Sequence, residues 1–249
     1  MRGLKQLFWV DLKLYFREPV AAFFTLAFPP LMVVLFGAIY GNKSDPLFGG
    51  RGAMDISMPA YTALVLALVG LLSVPIATAA YRERGVLRRF RATPLKPTTY
   101  IVADILANLL MTALGMMALV AFGWALYRVR LEGRPLDVAL ALILSALAMF
   151  AVGYLIAGLA PGARSAQIVG MVILYPMIFL SGATVPLEVM PRSVERISNF
   201  LPLTYAVRLL RGMWFGEPWG DHLLDVGVLA GVLIVCGSLA GRFFRWGET

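Results

Sequence analysis

Tyr81-Arg82-Glu83-Arg84-Gly85-Val86-Leu87-Arg88-Arg89-Phe90-Arg91-Ala92-Thr93-Pro94-Leu95-Lys96-Pro97 lies between two long apolar runs and holds six of the chain's 22 Lys and Arg residues. Lys and Arg concentrate in short loops on the cytoplasmic side of a membrane, so the stretch is predicted to be such a loop. Val86, Leu87 and Phe90 fall at helical spacing on one face, and Arg84, Arg88 and Arg91 line another. A short amphipathic helix is therefore expected within 81–97. Thr93-Pro94 ends it, because the residue before proline is pushed out of helical geometry.

Outward from this loop the chain is mostly apolar. Of its 249 residues 60% are hydrophobic and 14% charged, which is outside the range of soluble domains and marks an integral membrane protein. The net charge of +8 does not point to nucleic acid, because the basic residues sit between apolar spans, where anionic lipid is the nearer partner. Cys236 and His222 are the only cysteine and histidine, so neither a disulfide framework nor a Cys/His zinc site is available.

Residues 1–18 place Leu4, Leu7, Phe8, Leu12 and Tyr15 on one side and Arg2, Lys5, Lys13 and Arg17 on the other. That pattern predicts a helix lying in the membrane interface. Apolar runs long enough to cross a bilayer, for which about 20 residues suffice, follow at 20–40, 59–80, 101–127, 136–160, 166–181 and 223–244. Pro29-Pro30 predicts a kink in the first. Gly49-Gly50-Arg51-Gly52 is read as a surface turn, since no strand-to-helix context for a phosphate cradle surrounds it.

Six spans put both termini on one side. With the termini inside, inner segments hold thirteen Lys and Arg and outer segments nine, so both termini are expected in the cytoplasm. The tryptophans Trp9, Trp124, Trp214, Trp219 and Trp246 fall near span ends or in the last long loop, and are read as an aromatic belt.

Between the fifth and sixth spans, residues 186–214 carry two apolar stripes that meet at Pro202. Met190, Val194, Ile197 and Leu201 form the first, and Leu203, Val207, Leu210 and Trp214 the second. A short helical hairpin is expected there, dipping into the outer leaflet or capping the bundle. The last span carries Gly227 and Gly231, then Gly237 and Gly241, two small-xxx-small pairs suited to close helix packing within one subunit or across a dimer seam.

No GxxxxGK[ST] sequence occurs, so no P-loop for ATP is present and ATP-driven work must come from another polypeptide. Ser181-Gly182 with His222 superficially suggests a hydrolase; the simpler reading is a helix end and a helix start. Asp104 and Asn108, one turn apart near the inner end of the third span, are the intramembrane polar candidates. Asp104 is expected to pair with a loop arginine such as Arg88 or Arg91. A rigid basic and apolar helix at the inner surface, in a chain without an energy source, needs a soluble partner that has one.

Arg82-Glu83-x-Gly85 with Leu87, then Thr93-Pro94-Leu95, resembles the cytoplasmic coupling segment of membrane subunits of type-2 (type V) ATP-binding-cassette exporters. Phe179-Leu180-Ser181-Gly182, Pro186, Pro191, Pro202-Leu203-Thr204-Tyr205-Ala206 and Arg211-Gly212 are similar to the outer segment of the same family. Val86 stands where threonine is common in that family and Arg208 where an acidic residue is frequent.

The resemblance implies an all-α, single-domain permease spanning 1–249 in the inner membrane of a prokaryote, paired with a second copy or a similar permease. Two ATPase subunits would hold the ATP and magnesium, and this chain no cofactor. Arg82, Glu83, Arg84, Gly85, Leu87, Arg88 and Phe90 would form the coupling helix. Ser181, Gly182, Pro186, Pro202, Tyr205 and Arg211 would belong to an outer gate. The exported compound is expected to be amphiphilic or lipid-like. The alternatives are a secondary transporter or channel, which calls for titratable groups along the path, and a membrane enzyme, which calls for a convergent catalytic cluster.

Overall fold

The computed structural model describes residues 2–17, 22–43, 50–85, 97–184 and 190–243, and no strand occurs among them. The helices are α1 (Arg2–Arg17), α2 (Phe23–Tyr40), α3 (Ala53–Glu83), α4 (Pro97–Tyr127), α5 (Pro135–Leu159), α6 (Ala163–Leu180), α7 (Arg192–Ser198), α8 (Pro202–Phe215) and α9 (Leu223–Phe243). A single 3-10 turn, Trp219–His222, leads into α9. Among the described residues, six helices are long and apolar enough to cross a membrane: α2 to α6, and α9 with its leading turn.

These match the six expected spans, with one marked difference. The second span, α3, begins at Ala53, not 59, although Pro59 lies inside it. The reason is a long-range cap: Asn42 Oδ1 accepts from the amides of Met54 and Asp55 at 3.1 and 3.2 Å. Free N–H groups of a first turn are thereby satisfied by a residue from the preceding loop.

Two helices contain a single π turn, Phe23–Ala27 in α2 and Val69–Ser73 in α3. Each precedes a proline, Pro29 or Pro75, and closes with an i to i−5 bond: the Phe28 N–H to the Phe23 carbonyl and the Val74 N–H to the Val69 carbonyl. Proline lacks the N–H that the preceding turn would use, and its ring crowds the carbonyl four residues back. An extra residue in the turn relieves both problems.

α3 and α5 are the central helices, while α2, α6 and α9 present most of their surface outward. At the centre α3 and α5 touch backbone to backbone: a Cβ on Gly153 would lie 2.0 Å from the Gly70 carbonyl oxygen, inside the π turn. The outward surface is apolar, with Trp124, Val172, Phe179 and Ile234 all exposed. Soluble proteins do not show so wide an apolar surface; hydrocarbon is the solvent it fits.

α1 packs on α4, with Leu7 buried against Tyr100 and Ala103. α8 is not a surface helix. Leu203, Val207, Leu210 and Trp214 are all buried, and α8 packs against α3, α5 and α9. Trp214 is 1% exposed, so it belongs to the core and not to an aromatic belt. Trp9 and Trp124 are exposed as a belt requires; Trp246 lies outside the described residues.

Candidate functional site

Three places gather the candidate residues. The first is the end of α3. Arg82 donates to the carbonyls of Ala157, at 2.8 Å, and Ala160, both in the last turn and cap of α5. Glu83 Oε1 accepts from the N–H of Ala163, the first residue of α6, at 3.1 Å. A guanidinium thus sits at a helix C-terminus and a carboxylate at a helix N-terminus, the placement each helix dipole favours. Two adjacent side chains clamp α3 to the α5–α6 turn.

Gly85 follows with φ +66. The Arg84 and Gly85 amides bond to the Ala80 and Arg82 carbonyls at 3.0 Å each, which closes α3 in the left-handed geometry that glycine adopts at little cost. Arg84 is exposed. Leu87, Arg88 and Phe90 lie outside the described residues. Of the coupling candidates, then, Arg82 and Glu83 hold the base of the segment and Arg84 faces outward.

The second place is a buried polar cluster where α1, α3, α4 and α5 meet. Tyr154 OH donates to Asp104 Oδ2, and Asn108 Nδ2 donates to the Asp104 carbonyl at 2.9 Å. Asp104 therefore has a tyrosine partner across the bundle; Arg88 and Arg91, its expected partners, lie outside the described residues. Asp11 of α1 is 9% exposed and its Oδ2 has no hydrogen-bond partner. Both carboxyls line one small cavity with Asn108 and Tyr15. Burial and the neighbouring Asp104 raise the Asp11 pKa from 3.8 to about 7. The sequence reading missed Asp11, although the signal was there: it falls four residues after Leu7 and four before Tyr15, on the apolar face.

The third place is a cavity of about 510 Å3 at the opposite end of the bundle, between α3, α7, α8 and the segment after α6. Gly182 and Arg211 line it together with Arg192 and Arg208. Ser181, Pro202 and Tyr205 do not. Ser181 is fully buried and its Oγ accepts from the Ala183 N–H at 3.3 Å. Pro202 starts α8, and Tyr205 OH donates to the Asn199 carbonyl at 2.6 Å. Thr204 likewise donates to the Ser198 carbonyl at 2.7 Å, so two side chains satisfy the end of α7. Pro186 lies outside the described residues.

His222 has both ring nitrogens engaged, Nδ1 with Asp225 and Nε2 with Glu217, each at 2.8 Å. No ring nitrogen remains for Ser181, which removes the hydrolase reading. Among the described residues no group of three or more His, Cys, Asp and Glu stands ready for a metal. At Gly227, Gly231, Gly237 and Gly241 an added Cβ would meet nothing within 4 Å. These glycines therefore make no tight backbone crossing with another described helix, although Gly237 and Gly241 line an apolar recess with Ile101, Ile105 and Phe150; a tight crossing is made by Gly70 and Gly153.

The profile of the ABC-2 type transporter family matches residues 2–215. The chain is 28% identical to nodulation protein J of Rhizobium leguminosarum bv. viciae, over 80% of this chain and 83% of that protein. It is 27% identical to the daunorubicin resistance ABC transporter permease protein DrrB1 of Streptomyces coeruleorubidus, over 86% and 78%. It is 23% identical to the probable doxorubicin resistance ABC transporter permease protein DrrC of Mycobacterium tuberculosis, over 94% and 84%. With six membrane-spanning helices and a family match over most of its length, the chain belongs to the ABC-2 type transporter family and is a multi-pass permease subunit of an ABC transporter.

Proposed function

We propose that this permease exports an amphiphilic compound through the bacterial inner membrane and is driven by two copies of a separate ATPase seated at its α1 end. In this reading both termini are cytoplasmic, ATP and magnesium belong to the partner, and a second copy of this chain or a similar permease completes the pathway. The observation that carries it is the double cap at the end of α3. Because Arg82 holds the end of α5 and Glu83 the start of α6, a push on the segment after Gly85 moves three spanning helices together. A loop attached to α3 alone would flex and dissipate the motion.

Glu83→Ala and Gly85→Pro test it, with ATP hydrolysis and transport measured in the assembled complex. The expected result is hydrolysis without proportionate transport, or failure of the ATPase to bind, with membrane insertion intact. Normal export by both variants would overturn the coupling role, and uphill transport by the permease alone would overturn the whole reading.

A further inference from the structure

The cavity at the α7–α8 end has the size of a small-molecule site, roughly 300–1,000 Å3 in general, and an uneven wall. Ile56, Ala60, Tyr61 and Val207 give it an apolar side. Arg192, Arg208 and Arg211 give it a cationic side, with Glu195 the one carboxylate among the described lining residues. The guanidinium of Arg208 is steadied by neutral groups: Nη2 donates to Asn199 Oδ1 at 2.9 Å, and its central carbon lies 5.8 Å from the Tyr205 ring centre. Neither partner cancels its charge.

An anion seated beside the Arg192 and Arg208 guanidiniums is attracted by both charges. Guanidiniums also present forked N–H donors that match the oxygens of phosphate, sulfate or carboxylate. We propose that this cavity takes the anionic head group of an amphiphile, with the chain of that molecule against the apolar side. The site accounts for an arginine at 208, where a resembling family often carries an acid. That the amphiphile is cargo rests on the exporter reading; the binding of the head group does not.

The test uses the permease purified in a non-ionic detergent, titrated with fluorescent lysophosphatidic acid and with the choline-headed lysolipid of the same chain length. The anionic probe should bind about tenfold or more tightly than the zwitterionic one. Raising ionic strength from about 0.01 M to about 0.1 M, which shortens the screening length from about 30 to about 10 Å, should narrow that gap. Arg208→Glu and Arg192→Glu should each lower affinity for the anionic probe about tenfold, and Arg208→Lys, which keeps the charge but loses the forked donors, should fall between Arg208→Glu and the unaltered chain. Arg192 is exposed, so its reversal leaves the fold intact even where a change at 208 does not.

Equal binding of the two probes, or unchanged anionic binding in Arg192→Glu, overturns the site. The complex with its ATPase in proteoliposomes then separates cargo from lipid. ATP-driven movement of the anionic probe, lost in Arg192→Glu, supports cargo. A probe that binds but is not moved by a complex that hydrolyses ATP makes the occupant a resident anionic lipid and overturns the cargo half. A complex that hydrolyses no ATP defeats the exporter reading and leaves the binding result standing.

Discussion

Arg82 and Glu83 are neighbours of opposite charge, and each faces the helix end of opposite polarity. Their removal should therefore act on different helices. Arg82→Ala exposes the last carbonyls of α5, and Glu83→Ala frees the first N–H of α6; each should cost about 1 kcal/mol, read by unfolding of the purified permease in a denaturing detergent. Asp11 makes a prediction about pH. Its carboxyl is held neutral by burial and by Asp104 on α4, with Tyr15 on its own helix and Tyr81 of α3 lining the same cavity. Below pH 4 both folded and unfolded chains hold this proton. From there to about 7 the unfolded chain releases it while the folded chain keeps it, so the contribution of Asp11 to stability falls as pH rises and levels off above 7. Asp11→Asn should flatten that slope in a stability profile measured from pH 4 to 8; an unchanged slope would show that another group causes it.

The long helices are tuned by glycines and prolines whose roles depend on what lies opposite. Gly153 faces the Gly70 carbonyl inside a π turn, so a side chain there forces α3 and α5 apart. Gly153→Ala should destabilise by about 1–3 kcal/mol. Gly237 faces open space, and Gly237→Ala should be neutral or stabilising by up to about 1 kcal/mol through helix propensity alone. Paired unfolding measurements on the two variants check the contrast. If Gly237→Leu also shifts the subunits from dimer to monomer in cross-linking, the flank of α9 that carries Gly237 is the seam between permeases. α8 shows the same dependence on context: its four-residue apolar stripe was legible, but Thr204 and Tyr205 are buried on its other side as caps for α7.

For the molecule as a whole, orientation is the central question, and its cysteine content makes it accessible. Cys236 is the only thiol, so Cys236→Ser gives a background without cysteine. Into it Arg84→Cys should react with a membrane-impermeant maleimide only in inside-out vesicles, and Lys43→Cys only in right-side-out ones. The reverse pattern would place the double-capped end of α3 outside the cell and away from any ATPase.

The sequence by itself determined the six spans, their order and the family, because apolar length and local motif are properties of contiguous residues. It also showed α1, and two helices meeting at Pro202, since helical periodicity is local. The partners only the tertiary structure decided. Arg82 bonds to carbonyls 75 and 78 positions away, Asn42 starts α3 from across a loop, and Asp11 turns its carboxyl inward beside Asp104. Hydropathy could not separate Gly153 from Gly237 either, because a glycine is needed only where another backbone comes close. That closeness arises from the packing of helices distant in the chain, and no stretch of sequence records it.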